Sequence, residues 1–227
     1  VLDALASSGT ERGYPPSIGT EALRAAVAEW FDRRFGVGVD PSDVGAAIGT
    51  KELVAGLPHW LRLRDPHHDT VLYPAIAYPT YEMGAILAGC RAVPVPVDDQ
   101  WRIDLSAISA EDAARALVLW VNTPGNPAGG LDDLEAAARW GHDHGVLVAS
   151  DECYLGLAWD GEPVSVLHPS VCDGDHTGLL AVHSLSKTSS LAGYRAGFVA
   201  GDAGLVGELL AVRKHAGMMV PTPIQSA

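Results

Sequence analysis

Ser184-Leu185-Ser186-Lys187-Thr188-Ser189-Ser190-Leu191-Ala192-Gly193-Tyr194-Arg195-Ala196-Gly197 sets a lysine among small hydroxyl residues, just after an apolar run and one glycine-containing turn before an arginine. A lysine at the end of a strand is a costly structural choice, because burying its ammonium requires a partner or a chemical change. Imine formation with an aldehyde is one such change, and the neighbouring hydroxyls and Arg195 offer donors for a phosphate. Taken alone, the stretch is explained equally well by a solvated loop with one Lys and one Arg.

Outward from this stretch, apolar runs and helix-period segments alternate. An amphipathic helix is predicted over Glu21–Phe35, where Leu23, Val27, Trp30 and Phe31 fall on one face and Gly36 follows as a stop. Strands are predicted over 44–48, 70–73, 92–97, 116–121, 146–149, 179–182 and 196–200. Further helices are predicted over 51–63, 80–88, 105–114, 131–144 and 205–214. Pro58 is expected to bend the second helix, and Asp104 to cap the fourth. Prolines put the strand over 92–97 near an edge or an irregularity. This alternation predicts an α/β fold, a mostly parallel sheet flanked by helices in three αβα layers. Ligands of such sheets bind beyond the carboxyl ends of the strands, so the polar residues following the strands are expected to converge. The loop over 160–178 reads as a surface connection.

The 227 residues are 48% hydrophobic, enough for a sizeable core. Asp and Glu number 28 against 15 Lys and Arg, a net charge of −13 without the basic stripe of a nucleic-acid footprint. No apolar run approaches the ~20 residues of a membrane span, and no signal peptide is expected from the opening residues. Cys90, Cys153 and Cys172 show no CxxC spacing, and a reduced, cytoplasmic protein is the simplest expectation.

The strand ends carry the chemistry. The run over 116–121 leads into Asn122-Thr123-Pro124-Gly125-Asn126-Pro127. A turn accounts for its Pro and Gly residues but not for an Asn set between Gly and Pro. The run over 146–149 leads into Ser150-Asp151-Glu152-Cys153-Tyr154. Adjacent carboxylates there are expensive unless paired. A metal would serve, but no ligand cluster of sensible spacing lies nearby, and no metal is assigned. Asp151 and Tyr154 suit a cationic heterocycle instead, the carboxylate toward a ring N–H and the phenol toward a ring oxygen. Gly49-Thr50-Lys51 opens a helix whose free N–H groups favour a phosphate. Its glycine spacing is too short for a nucleotide P-loop, and Thr precedes Lys instead of following it. Tyr78, after another strand, is more often packing than stacking. Cys153 reads as a buried structural thiol, and His142 and His144 as solvated helix positions.

The Pro-Gly-Asn-Pro turn, Asp-Glu-x-Tyr and Ser-x-Ser-Lys…Gly-x-Arg-x-Gly occur together in this order. In them the chain resembles the class I/II aminotransferases of fold type I, which depend on pyridoxal 5'-phosphate. The resemblance runs from Tyr14 almost to Ala227. It implies that Lys187 bonds to the cofactor and moves the substrate's α-proton, and that Asp151 pairs with the pyridine N–H. Asn126 and Tyr154 would hydrogen-bond the ring's phenolic oxygen, and Tyr78 would stack on the ring. Gly49, Thr50, Lys51 (through its backbone N–H), Ser184, Ser186 and Arg195 would form the phosphate site. Tyr14 matches a tyrosine that reaches the phosphate of a neighbouring subunit, so a homodimer is implied.

The implied reaction moves an amino group from a donor such as glutamate to a keto acid. A finer resemblance, over 184–202 and 213–221, is to actinobacterial-type succinyldiaminopimelate aminotransferases of lysine biosynthesis. That resemblance suggests N-succinyl-2-amino-6-ketopimelate as acceptor. Residues 1–227 correspond to the family's large, cofactor-binding domain. Part of the N-terminal arm and the C-terminal small domain, with its carboxylate-binding arginine, are expected to be missing. Competing expectations are a β-lyase or decarboxylase with the same cofactor shell, and the aminotransferase-like effector domain of a transcription regulator.

Overall fold

The computed structural model describes residues 1–8, 12–159, 161 and 164–227. Seven strands form one sheet: β1 (Val44–Ala47), β2 (Thr70–Pro74), β3 (Arg91–Val95), β4 (Ala116–Asn122), β5 (Leu147–Asp151), β6 (Leu179–Ser184) and β7 (Gly197–Gly201). The helices are α1 (Leu2–Ser7), α2 (Glu21–Phe35), α3 (Thr50–Arg64), α4 (Thr80–Leu87), α5 (Ala110–Ala113), α6 (Leu134–His144), α7 (Pro169–Cys172), α8 (Leu185–Thr188), α9 (Ala203–Arg213) and α10 (Thr222–Ser226).

The strand order is β1-β7-β6-β5-β4-β2-β3. Pairing is parallel from β3 through β6, while β7 runs antiparallel to both β6 and β1. The expected mostly parallel sheet is therefore present, with one reversed strand. β3 lies at an edge, where Pro94 leaves no central ladder bond unmade. Strands β4 to β7 are buried along their whole length, as continuous apolar runs covered on both faces should be. One face packs Leu53, Leu57, Tyr81 and Leu209 of α3, α4 and α9 against Trp120 and Val182. The other packs Val27, Phe31, Leu134 and Ala137 of α2 and α6 against Val148, Ala181 and Phe198. These are the three layers.

Local signals set most boundaries. Thr20 caps α2 by accepting from Leu23 N–H, and Gly36 ends it in the left-handed conformation at φ 66°. Asp133 caps α6 in the same way through Ala136 N–H, so this helix starts at Leu134 rather than 131. The helix predicted over 105–114 is broken in two. Asp104 caps a single 3₁₀ turn through Ser106 N–H, and Ser109 then caps α5 through Asp112 N–H. Helix α3 continues through Pro58 to Arg64. Asp160, Glu162 and Pro163, at the start of the loop predicted over 160–178, lie outside the described residues.

The deciding stretch also departs from expectation. β6 ends at Ser184, and the chain turns at once into the one-turn helix α8. Lys187 thus stands on a helical turn beyond the strand and is exposed. The predicted burial cost is not incurred, because α8 lifts the side chain out of the sheet into an open cavity.

Candidate active site

The ends of β4, β5 and β6, the start of α3 and the β2–α4 connection enclose a cavity of about 330 Å³. Its walls are Thr50, Lys51, Tyr78, Asn122, Asn126, Asp151, Cys153, Tyr154, Ser184, Ser186, Lys187, Ala192 and Arg195. The structure therefore brings together all but two of the residues singled out from sequence. Gly49 stands just behind the wall, against the Arg195 guanidinium. Tyr14 is 94% exposed and lies elsewhere, beside Thr20 and Thr222.

Asp151, the last residue of β5, lies at the cavity floor and is 5% exposed. Its Oδ2 accepts from the Tyr81 hydroxyl at 2.9 Å, and its Oδ1 from Cys153 N–H at 3.2 Å. Burial pushes the carboxyl above the ordinary aspartate range, and the donors from Cys153 and Tyr81 oppose that push. Burial and the adjacent carboxylate drive the Cys153 thiol far up, so it is no nucleophile at neutral pH. The thiol instead sits 3.4 Å from Thr50 Oγ1.

The amide wall is built by Asn122, to which the sequence pattern assigns no role. Its Nδ2 donates to the Asp151 carbonyl at 2.8 Å and its Oδ1 accepts from Asn126 N–H at 2.7 Å. One buried side chain thus ties the acid to the Pro-Gly-Asn-Pro turn. Asp132 fixes the same turn from outside, accepting from Asn122 N–H at 3.2 Å and from Ile103 N–H at 2.9 Å.

The opposite end is a donor cluster. The first amides of α3 have no acceptor within their own helix. Arg195, itself left-handed at φ 55°, is strapped across this turn. It donates to Ala192 O at 2.8 Å, to Ser186 Oγ at 3.5 Å and to Ile48 O at 3.4 Å. Gly49 has φ +69°, and a Cβ there would collide with the guanidinium. Ser184 Oγ accepts from Ser186 N–H at 3.1 Å, which fixes the start of α8. Lys187 Nζ stands 5.8 Å from the centroid of the Tyr154 ring, and Lys51 Nζ 5.6 Å from that of Tyr78.

A carboxylate at one end, hydroxyls, amides and a guanidinium at the other, and a free lysine amine between suit a flat heterocycle carrying a cation and a phosphate. Comparison with known proteins gives the class. The family model "Aminotransferase class I and II" matches residues 2–227, and the chain belongs to that family. It is 53% identical over 231 residues to the probable aminotransferase Rv1178 of Mycobacterium tuberculosis, covering 100% of this chain and 52% of that protein. It is 48% identical over 228 residues to the 4-dedimethylamino-4-oxo-anhydrotetracycline transaminase OxyQ of Streptomyces rimosus, covering 99% of this chain and 60% of that protein. The solved probable N-succinyldiaminopimelate aminotransferase of Thermus thermophilus superposes with a TM-score of 0.88 at 30% identity, covering 99% of this chain and 61% of that one. The chain thus spans between half and two thirds of the length of these relatives.

The family's cofactor is pyridoxal phosphate, and the donor set fits it. The buried Asp151 carboxylate suits a ring N–H, and the cluster of α3 amides, Ser186 and Arg195 suits a phosphate. Sequence reasoning missed Tyr81 and Asn122 because their roles are tertiary. Tyr81 sits one turn after Tyr78 in an apolar helix, and Asn122 looks like any residue opening a turn.

Proposed function

We propose that this chain forms the cofactor-binding domain of an aminotransferase that moves an amino group from an amino acid, glutamate in the first instance, to a keto acid. The observation that carries this reading is the convergence of Lys187, Asp151 and the Arg195 donor cluster on one cavity. Pyridoxal phosphate, when bound, supplies the electron sink that acidifies the substrate's α-carbon. Asp151 would hold the proton of the ring nitrogen, and the Tyr81 hydroxyl favours its ionised form against the upward push of burial. Asn126 and Tyr154 would donate to the ring's phenolic oxygen, and Tyr78 would cover the ring. Thr50, Ser184, Ser186 and Arg195 anchor the phosphate, and this anchoring fixes the reacting carbon against Lys187. Lys187 Nζ would take the α-proton and return it two atoms along, on the far side of the amino nitrogen.

For the acceptor we favour N-succinyl-2-amino-6-ketopimelate, in lysine biosynthesis. The Thermus neighbour named for that chemistry supports it, while the Streptomyces relative named for a tetracycline intermediate shows how widely substrates differ among relatives. The assembly we favour is a cytoplasmic homodimer in which the exposed Tyr14 completes the partner's phosphate site. Among the described residues no helix is long and apolar enough to cross a membrane.

The test incubates the protein with glutamate and a panel of keto acids. Production of 2-oxoglutarate that requires a keto acid supports the reading. Ammonia or carbon dioxide release without one would replace it with a β-lyase or decarboxylase. Sedimentation of the wild type and Tyr14→Phe, with cofactor titration of each, tests the dimer.

A further inference from the structure

Helix α3 carries a glutamate in its first turn, beside the donors assigned to a phosphate. Glu52 Oε1 accepts from Ile48 N–H at 2.9 Å, so its carboxylate reaches back under Gly49, Thr50 and Lys51. The carbonyl of the same Ile48 accepts from Arg195. A carboxylate here is favourable for the bare helix, since acids in a first turn meet the positive end of its dipole. It is unfavourable for a phosphate at the same helix end, where two anions would share one set of donors.

The compensation comes from 161 positions further along the chain. Arg213, the last residue of α9, is wholly buried, and its Nη2 bonds Glu52 Oε1. Its Nη1 donates to Ala46 O of β1 at 3.2 Å, and its guanidinium lies 5.3 Å from the centroid of the Trp60 ring on α3. Burial pushes Glu52 up and Arg213 down, while the attraction of each for the other opposes both shifts. An isolated core arginine would be costly. This one is held by a carboxylate, a carbonyl and an aromatic face.

We infer that Arg213 is a positioning residue for the phosphate end of the site: it neutralises Glu52, which holds the β1–α3 turn in shape but would otherwise repel the phosphate. The inference rests on the phosphate assignment made above. Glu52 supplies the geometry of the turn and Arg213 removes its electrostatic penalty. Neither touches the ligand.

The experiment compares dissociation constants for pyridoxal phosphate and for phosphate-free pyridoxal, by absorbance titration, in the wild type, Arg213→Met, Glu52→Gln and the double variant. The ratio of the two constants reads the phosphate contribution alone. Arg213→Met should lower the preference for the phosphorylated form by about tenfold, Glu52→Gln should raise it, and the double variant should return it near the wild-type value. Opposite signs keep the test decisive if one single variant fails to fold. Equal weakening of both ligands by Arg213→Met, or a shift in the same direction for both single variants, would overturn the inference and leave a purely structural pair. A wild type that binds pyridoxal as tightly as pyridoxal phosphate would overturn the phosphate assignment itself.

Discussion

The Tyr81 hydroxyl donates to Asp151 Oδ2 at 2.9 Å beneath the cavity floor, with the phenol wholly buried and stacked on Trp120. Burial first, and then the charge of Asp151, draw the Tyr81 phenol well above its ordinary range, while the phenol helps keep the carboxyl ionised. Tyr81→Phe should therefore lower pyridoxal phosphate affinity roughly tenfold, the size of one hydrogen bond to a charged group. Unchanged affinity in a fluorescence titration would show that Cys153 N–H alone suffices.

Burial makes the ionised Asp151 carboxylate costly when no cationic partner is bound. Its folded-state pKa lies above its unfolded value, so the native chain binds more protons than the unfolded chain across that interval. Stability of the cofactor-free chain should fall as pH rises from the ordinary aspartate range through the raised value. Asp151→Asn should remove that step, stabilise the cofactor-free chain at neutral pH and abolish transamination. Urea unfolding of both proteins across pH reads the difference, and a destabilised Asp151→Asn at neutral pH would contradict it.

The chain has three lysines, Lys51, Lys187 and Lys214. Borohydride reduction of the protein loaded with pyridoxal phosphate should label Lys187 alone, as read by peptide mass spectrometry, and Lys187→Ala should carry no label. Stable labelling of Lys51 or Lys214 in its place would move the chemistry to another part of the wall.

Gly49→Ala introduces a methyl group where the Arg195 guanidinium lies, at a backbone φ of +69° that L-residues resist. Expected are a loss of about 1–3 kcal/mol in stability and a tenfold or greater loss of pyridoxal phosphate affinity, with pyridoxal affected less. Calorimetry and titration measure the two separately.

Asp132→Ala leaves the amides of Asn122 and Ile103 without their acceptor. Denaturant unfolding should show a loss of about 1–3 kcal/mol. The Pro-Gly-Asn-Pro turn should loosen with it, which raises the dissociation constant of the cofactor.

Legibility in the sequence tracks how local the information is. Apolar runs ending in polar residues mark the strands together with the polar positions just past them, so Thr50, Asn126, Asp151, Ser186 and Arg195 stand out before their convergence is visible. Caps at Thr20 and Gly36 fix α2 to the residue. The break near Ser109 is hidden because the helical apolar period persists across it, while a hydroxyl restarts the helix. Helix α1, without a buried residue, carries no periodic signal. The exposure of Lys187 depends on a single turn too short to show a period. Tyr81–Asp151 and Glu52–Arg213 join residues 70 and 161 positions apart, and no local pattern records such a pair.

The reversed strand β7 has a consequence for how the molecule comes into being. β1, near the start of the chain, finds its sheet neighbour in a strand that begins at Gly197. While the chain is being made, Val44–Ala47, destined for complete burial, has no ladder to join until β7 has been added. Closing so long a loop is entropically slow. When β7 does slot between β1 and β6, it brings Arg195 over Gly49 in the same movement. The proposed phosphate anchor and the final seam of the sheet are then one event, and a nascent chain stopped short of that seam has an open, sticky edge and an incomplete cavity.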